Sequence, residues 1–204
     1  MSDRPTLEAL IAKVSNTDNR AGTDKGTTHS YTDLYTQVLT PYRDTATRVL
    51  EIGVYSGASI WVWAEYFANA QVSGMDIDMS KVVFGKDHER IRFLTADGTR
   101  TKGLIAAGGG DGVTGTVTYD VIIDDASHNP ADQVETLRLF APILAPGGVY
   151  VIEDINEKFA ESVKTGVGAI AIREGLTMVW HDLRKNKGRF DDIVAVLYRP
   201  AAVV

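Results

Sequence analysis

The 204-residue chain contains no cysteine. That excludes a disulfide scaffold, a thiolate zinc site, an iron–sulfur cluster and a cysteine nucleophile. A chain of this length buries a full core without such staples and predicts a single main domain. Nor is there an excess of positive charge. Twenty-one Lys+Arg stand against 27 Asp+Glu, a net charge of −6, and the pI is near 5.2. A duplex-nucleic-acid binder would carry a basic face, so no nucleic-acid partner is expected. No apolar run approaches the ~20 residues of a membrane helix, so no membrane partner is expected either. The opening MSDRPTLEAL lacks the basic and apolar regions of a signal peptide, and a cytoplasmic location follows as the expectation.

What the chain does have is an alternation of two periodicities. β-branched runs at Arg48–Ile52, Gln71–Asp76, Ile91–Leu94, Tyr119–Asp124, Val149–Ile152, Leu176–His181 and Ile193–Tyr198 predict strands. Ser59–Ala68, Thr99–Ala107, Ala131–Leu144 and Asn156–Ile172 are helix-compatible, and Leu137, Phe140, Ala141 and Leu144 mark one buried face. Asn129-Pro130 reads as the start of that helix and Pro146-Gly147-Gly148 as its stop. Strands alternating with helices predict an α/β fold, a doubly wound Rossmann-like, mostly parallel sheet with helices on both faces. The last two strands are joined only by the polar Asp182–Asp192 and predict a C-terminal antiparallel hairpin, which makes seven strands. Residues 1–47 form a helical lid segment ahead of the main domain, 48–204, with helical spacing at Leu7, Leu10, Ile11 and Val14 and again over Tyr31–Leu39. The glycine-rich run from Gly108 to Gly115 reads as a surface loop.

In such a sheet, ligands sit beyond the carboxyl ends of the strands. The first strand runs into Glu51-Ile52-Gly53-Val54-Tyr55-Ser56-Gly57-Ala58-Ser59, where Gly53 and Gly57 permit a tight turn and close approach by a ligand. Tyr55 stands where a dinucleotide fingerprint has its middle glycine, and with Glu51 it argues against a nicotinamide cofactor. Asp76, ~20 residues further on, is placed to accept from ribose hydroxyls. Asp97, before Gly98, could face an adenine amino group, whereas Asp78 reads as solvated. The competing reading is a purely structural strand–helix turn.

The fourth strand ends Asp124-Asp125-Ala126-Ser127-His128 and the fifth ends Glu153-Asp154. So much like charge costs free energy unless a cation compensates, and all-oxygen donors suit a hard ion such as Mg²⁺, with Mn²⁺ or Ca²⁺ as alternatives. His128 stands beside such a metal, and an ordinary pKa of about 6.5 makes it the natural base at neutral pH. The competing structural reading makes Asp125 and His128 a capping pair for one helix, with Glu153 and Asp154 capping another. Asp24, Lys25 and His29 could reach the site from the entry segment, but they lie in a polar loop of the kind that is usually just solvated. Trp61 and Trp63 read as packing residues, Lys185, Lys187 and Arg189 as a charged hairpin tip, and His88 and His181 as structural.

With these residues placed, the chain resembles the class I S-adenosylmethionine-dependent methyltransferases. More narrowly, Gly22-Thr23-Asp24-Lys25-Gly26, His29-Ser30-Tyr31, Ile122–His128 and Val151–Asp154 resemble the metal-dependent sugar O-methyltransferases of macrolide biosynthesis (mycinamicin type) and related rhamnosyl O-methyltransferases. The resemblance spans roughly residues 20–155. It implies Mg²⁺ on Asp125, Glu153 and Asp154, with His128 and Asp125 as the catalytic pair. S-adenosylmethionine would be held by Lys25, Tyr31, Glu51, Gly53, Tyr55, Ser59, Asp76, Asp97 and Asp124, with Asp24–Tyr31 closing over it. The partner it implies is a small-molecule or glycan sugar acceptor. Those enzymes carry a large additional N-terminal region that helps assemble them, against about 47 residues here, and a homo-oligomer stays an open expectation. Three other readings remain: a catechol-type O-methyltransferase, a nicotinamide-dependent oxidoreductase and a non-catalytic nucleoside-binding module.

Overall fold

The computed structural model describes residues 4–15, 22–100 and 117–202. Apolar residues at helical spacing bury one side of α1 (Leu7–Lys13), whose first turn is capped by the Thr6 hydroxyl accepting from Ala9 N. The α2 helix (Thr32–Leu39) gives way to a 3₁₀ turn, Thr40–Tyr42, at Pro41, where the ring cannot supply a helical N–H. After these come β1 (Arg48–Ile52), α3 (Ala58–Tyr66), β2 (Gln71–Asp76), β3 (Ile91–Thr95), β4 (Tyr119–Asp124) and α4 (Pro130–Phe140). The chain finishes with β5 (Leu144–Ile152), α5 (Ala160–Glu174), β6 (Thr177–Asp182), the one-turn α6 (Arg184–Lys187) and β7 (Ile193–Tyr198).

The seven strands form one sheet in the order β3-β2-β1-β4-β5-β7-β6. Pairing is parallel from β3 through β5, while β7 lies antiparallel to both β5 and β6. Alternate residues of the central strands feed opposite faces, as the two-residue period demands. Val49, Val121, Ile123 and Val151 share a core with α1, α2 and α3. Leu50, Ile52, Ile122 and Ile152 pack with α4 and α5 on the other face. Strand order reverses where β1 meets β4, which sets the ligand crevice beyond their carboxyl ends.

One expectation needs correction. Pro146-Gly147-Gly148 does not stop α4; it lies inside β5, which begins at Leu144. The Gly147 N–H faces the Arg199 and Pro200 carbonyls, and the β4–β5 register shifts between Tyr119 and Val121. Pairing with the chain's end therefore overrides the local turn signal. The connection between β6 and β7 holds no long helix, as expected, only the one-turn α6, and the two strands pair antiparallel. The helix expected at Thr99–Ala107 and the glycine-rich loop fall, from residue 101 onward, outside the described residues. Among the described residues, no helix is long and apolar enough to cross a membrane.

Candidate active site

A cavity of about 840 Å³ opens at the carboxyl ends of the parallel strands, within the size range of small-molecule sites. Its wall includes Gly53, Tyr55, Ser59, Asp76, Asp97, Asp125, His128 and Asp154. Gly53 is required there by its neighbour: at φ 97°, a Cβ would stand 2.0 Å from the Asp125 carbonyl oxygen. The turn after β1 is thus pressed against the chain leaving β4, which ties the glycine turn to the carboxylates. Tyr55, although not glycine, takes a glycine-like φ of 48°. Asp76 Oδ2 accepts from Val54 N (2.8 Å) and Tyr55 N (3.1 Å), so the acid of β2 fastens that turn as well as facing the cavity. Asp97 Oδ1 accepts from the Thr99 amide and hydroxyl at 2.9 and 2.7 Å. These bonds hold its carboxyl below the usual carboxylate range.

The carboxylates divide into two sets that share Asp125. On the outer side, oxygens of Asp125 and Asp154 and a nitrogen of His128 lie within 4.8 Å of one another on the cavity wall. His128 Nε2 is 3.1 Å from Asp125 Oδ1 and 3.5 Å from Asp154 Oδ2. On the inner side, Glu51, Asp125 and Glu153 surround the ammonium of Lys25, which is 2% exposed. Lys25 Nζ donates to Asp125 Oδ2 at 2.6 Å and to both Glu153 oxygens at 2.8 Å, with Glu51 Oε1 3.7 Å away. Tyr35 donates its hydroxyl proton to Glu153 Oε1. The structure thus joins Asp125 and Asp154 with His128, and engages both Glu153 oxygens with Lys25.

Electrostatics follow from this division. Burial pulls the Lys25 pKa down, but Asp125, Glu153 and Glu51 together hold it well above the ordinary lysine value. Burial raises Glu51 to about 7 against the opposing pull of Lys25. Asp124 is raised to about 8, chiefly by burial, and its Oδ2 has no hydrogen-bond partner among the described residues. Asp125 sits below the carboxylate range: burial opposes this, but Lys25 and His128 prevail. Burial lowers His128, yet Asp125, Asp154 and Glu153 raise it to about 9. The sequence expectation of an ordinary histidine pKa is therefore corrected, because three carboxylates hold the proton on this ring.

The capping alternative can be judged directly. Asn129 caps α4 by accepting from Ala131 N, and Asn156 caps the turn after β5 by accepting from Lys158 N. Asp125, His128, Glu153 and Asp154 are thereby released from capping duty. His128 (φ 55°), Asp154 (φ 52°) and Tyr55 are the positive-φ non-glycine residues among those described, and all three line the cavity. Strained backbone of this kind collects at functional sites. The polar loop ahead of α2 is not solvated as sequence reasoning expected, since Lys25 and His29 are buried. His29 Nδ1 lies 2.7 Å from Asp192 Oδ1 and 3.4 Å from Asp154 Oδ1, and Tyr31 donates its hydroxyl proton to Asp154. Asp192 was missed from sequence, where an Asp-Asp pair before a strand carries no signal of burial. Lys25, Tyr31, Glu51 and Asp124 are not on the cavity wall but behind it. Hard oxygen donors grouped around one imidazole nitrogen and open to the cavity fit a divalent cation on the outer set.

A family described as a methyltransferase domain matches residues 50–155. The 8-demethyl-8-alpha-L-rhamnosyl tetracenomycin-C 2′-O-methyltransferase of Streptomyces olivaceus is 33% identical over 171 residues, 76% of this chain and 43% of that protein. The L-olivosyl-oleandolide 3-O-methyltransferase of Streptomyces antibioticus is 34% identical over 161 residues, 75% of this chain and 38% of that protein. The chain thus spans less than half the length of these relatives. The structure of MycE methyltransferase from the mycinamycin biosynthetic pathway, in complex with Mg, SAH and mycinamycin VI, superposes with a TM-score of 0.73 at 26% identity. It covers 98% of this chain and 56% of that one. A match over half the chain, on the strand ends that build the cavity, identifies this protein as a member of the methyltransferase-domain family, with the class I Rossmann-like fold.

Proposed function

We propose that this protein transfers a methyl group from S-adenosylmethionine to a hydroxyl of a sugar borne by a small molecule or glycan, with a divalent cation, Mg²⁺ by preference, at the outer carboxylates. The observation that carries this reading is His128 Nε2 standing between Asp125 and Asp154 on the wall of a cavity that also contains the glycine turn and Asp76. Gly53, Tyr55, Ser59, Asp76 and Asp97 contact the donor on the wall. Lys25, Tyr31, Glu51 and Asp124 hold that wall from behind, Glu51 through the Ser59 hydroxyl at 2.8 Å. Asp125 and Asp154 offer oxygens to the cation, and Glu153 reaches it only by giving up Lys25. When bound, the donor supplies the methyl group and the cation supplies charge that orients the acceptor hydroxyl and makes it more acidic.

The chain's own part is proton control. A sugar hydroxyl, with a pKa of the order of water's ~15.7, must lose its proton as the new O–C bond forms. His128 Nε2 accepts that proton, a service worth ~10²–10⁴-fold. The carboxylates that hold His128 protonated are the same ones offered to the cation. A cation held by Asp125 and Asp154 would offset the charge that favours the protonated ring. Once Nε2 carries the proton, Asp125 and Asp154 stand within reach to accept from it and hold the charged ring.

The test is a transfer assay with labelled S-adenosylmethionine against a panel of rhamnosides and other deoxysugar glycosides, with catechols in parallel. Label on a sugar, abolished by EDTA and restored by excess Mg²⁺, is the expected result. Label on catechols alone would move the reading to aromatic diols, and indifference to chelator would remove the cation.

A further inference from the structure

Residues 22–31 lie over the carboxylates and are held from two sides. Inward, Lys25 reaches Asp125 and Glu153, and Tyr31 reaches Asp154. Outward, the holding partners come from the connection between β6 and β7, more than 150 residues away in sequence. Lys187 Nζ donates to the carbonyls of Gly26, Thr27 and His29 at 2.9, 2.8 and 2.7 Å. An ammonium has three protons, and all three are used here. Asp192, fully buried, accepts from His29 Nδ1 at 2.7 Å and from Ser30 Oγ at 2.6 Å.

The clasp is itself firmly mounted. α6 ends at Lys187, and Gly188, at a φ of 73°, lets the chain turn away there. The Asp182 carboxylate anchors Arg184 at the other end of that turn, through its backbone N–H and its guanidinium. Leu183 N donates to Asp192 O at 2.8 Å and closes the base of the connection. By contrast, the segment's own backbone bonds are few: Thr27 N and His29 N to Asp24 O, and Tyr31 N to Lys25 O. A ten-residue stretch with so little internal structure keeps its place through outside contacts.

We propose that Lys187 and Asp192 form a latch that holds segment 22–31 closed over the carboxylates, with Lys187 a positioning residue for methyl transfer. Its part in catalysis rests on the function proposed above; the latch itself does not. Gly22, Thr23 and Asp24 line the cavity, so a bound donor and the latch stabilise the same closed arrangement. Arginine cannot replace Lys187, because a planar fork does not present three protons to carbonyls converging on one atom.

Hydrogen–deuterium exchange on the intact protein tests this without any ligand. In K187M, the amides of Thr27, His29 and Tyr31 are expected to exchange at least ~10-fold faster, the effect of losing charge-assisted bonds, while β1 and β4 keep their protection. D192N should act in the same place, and K185M, two residues from the latch, should leave exchange unchanged. Wild-type protection of 22–31 in K187M, or equal loss in K185M, would overturn the latch. Should K187M unfold the sheet, K187R carries the test, with faster exchange confined to 22–31 expected and full protection overturning it. Saturating S-adenosylhomocysteine should then slow exchange at 22–31 in K187M back toward wild type. If it binds and slows nothing there, the positioning role is wrong. If it fails to bind even the wild type, the function proposed above falls and the latch stands.

Discussion

On its inner side Asp125 meets Lys25, with Glu51 and Glu153 packed around the same ammonium; on its outer side it meets His128 and Asp154. The residue types are nearly the same, but their neutralisation is not. Within the inner set Glu51 and Glu153 are buried, and they have a cation supplied by the fold itself in Lys25, as buried carboxylates must. The outer set faces the cavity; apart from Lys25, which already meets Asp125 from behind, its positive partner there is His128, which must give up that charge to work as a base. Asp154, whose ion-pair partners among the described residues are His29 and His128, is the carboxylate on the cavity wall that stays open to a cation from solution.

The variant that strains this comparison most is K25M. Removing one partner of a buried ion pair costs ~3–5 kcal/mol, and denaturant unfolding should register a loss of that size. The oxygens of Glu51, Asp125 and Glu153 lie within 4.8 Å of one another, so added Mg²⁺ should recover part of the loss in K25M. An absence of any Mg²⁺ response would mean that the two sets are not equivalent cation sites.

His128→Asn is next in size. Asparagine tolerates the left-handed backbone at φ 55° better than alanine does, so the loop keeps its shape. Turnover should fall ~10²–10⁴-fold with donor affinity intact, as a kcat measurement beside a calorimetric titration would register. Asp154→Asn preserves the backbone at φ 52° for the same reason. It should weaken Mg²⁺ binding by at least the ~10–100-fold that even outer-shell changes produce. The smallest effect belongs to Asn129→Ala, which removes the α4 cap and should cost ~1 kcal/mol of stability. Activity should persist in that variant, since Asn129 rather than Asp125 does the capping.

The sheet was legible because its signal is local. Val121-Ile122-Ile123 is apolar on both faces, and the bounds of β1, β2, β4 and β7 match the β-branched runs residue for residue. The start of β5 was not legible, because Pro146-Gly147-Gly148 looks like a turn until Arg199 and Pro200 come back to pair with it. The same distinction runs through the site. Asp125, His128, Glu153 and Asp154 could be placed from sequence because strand ends converge by rule. Which of them would face which could not, since Lys25 arrives from 100 residues away. A Gly-, Thr- and Asp-rich loop gives no local hint that its lysine is buried. Lys187 looked like an ordinary charged hairpin tip for the same reason: its three partners are backbone carbonyls, which carry no residue identity.

The central claim is that the cavity between the glycine turn and the outer carboxylates receives a sulfonium nucleoside. Calorimetric titration of S-adenosylhomocysteine into the purified protein, with NAD as the parallel control, tests it most directly. Saturable one-to-one binding of the homocysteine nucleoside, and none of NAD, is the result expected. Failure of S-adenosylhomocysteine to bind, or comparable binding of NAD, would contradict the assignment and require another chemistry for His128 and its carboxylates.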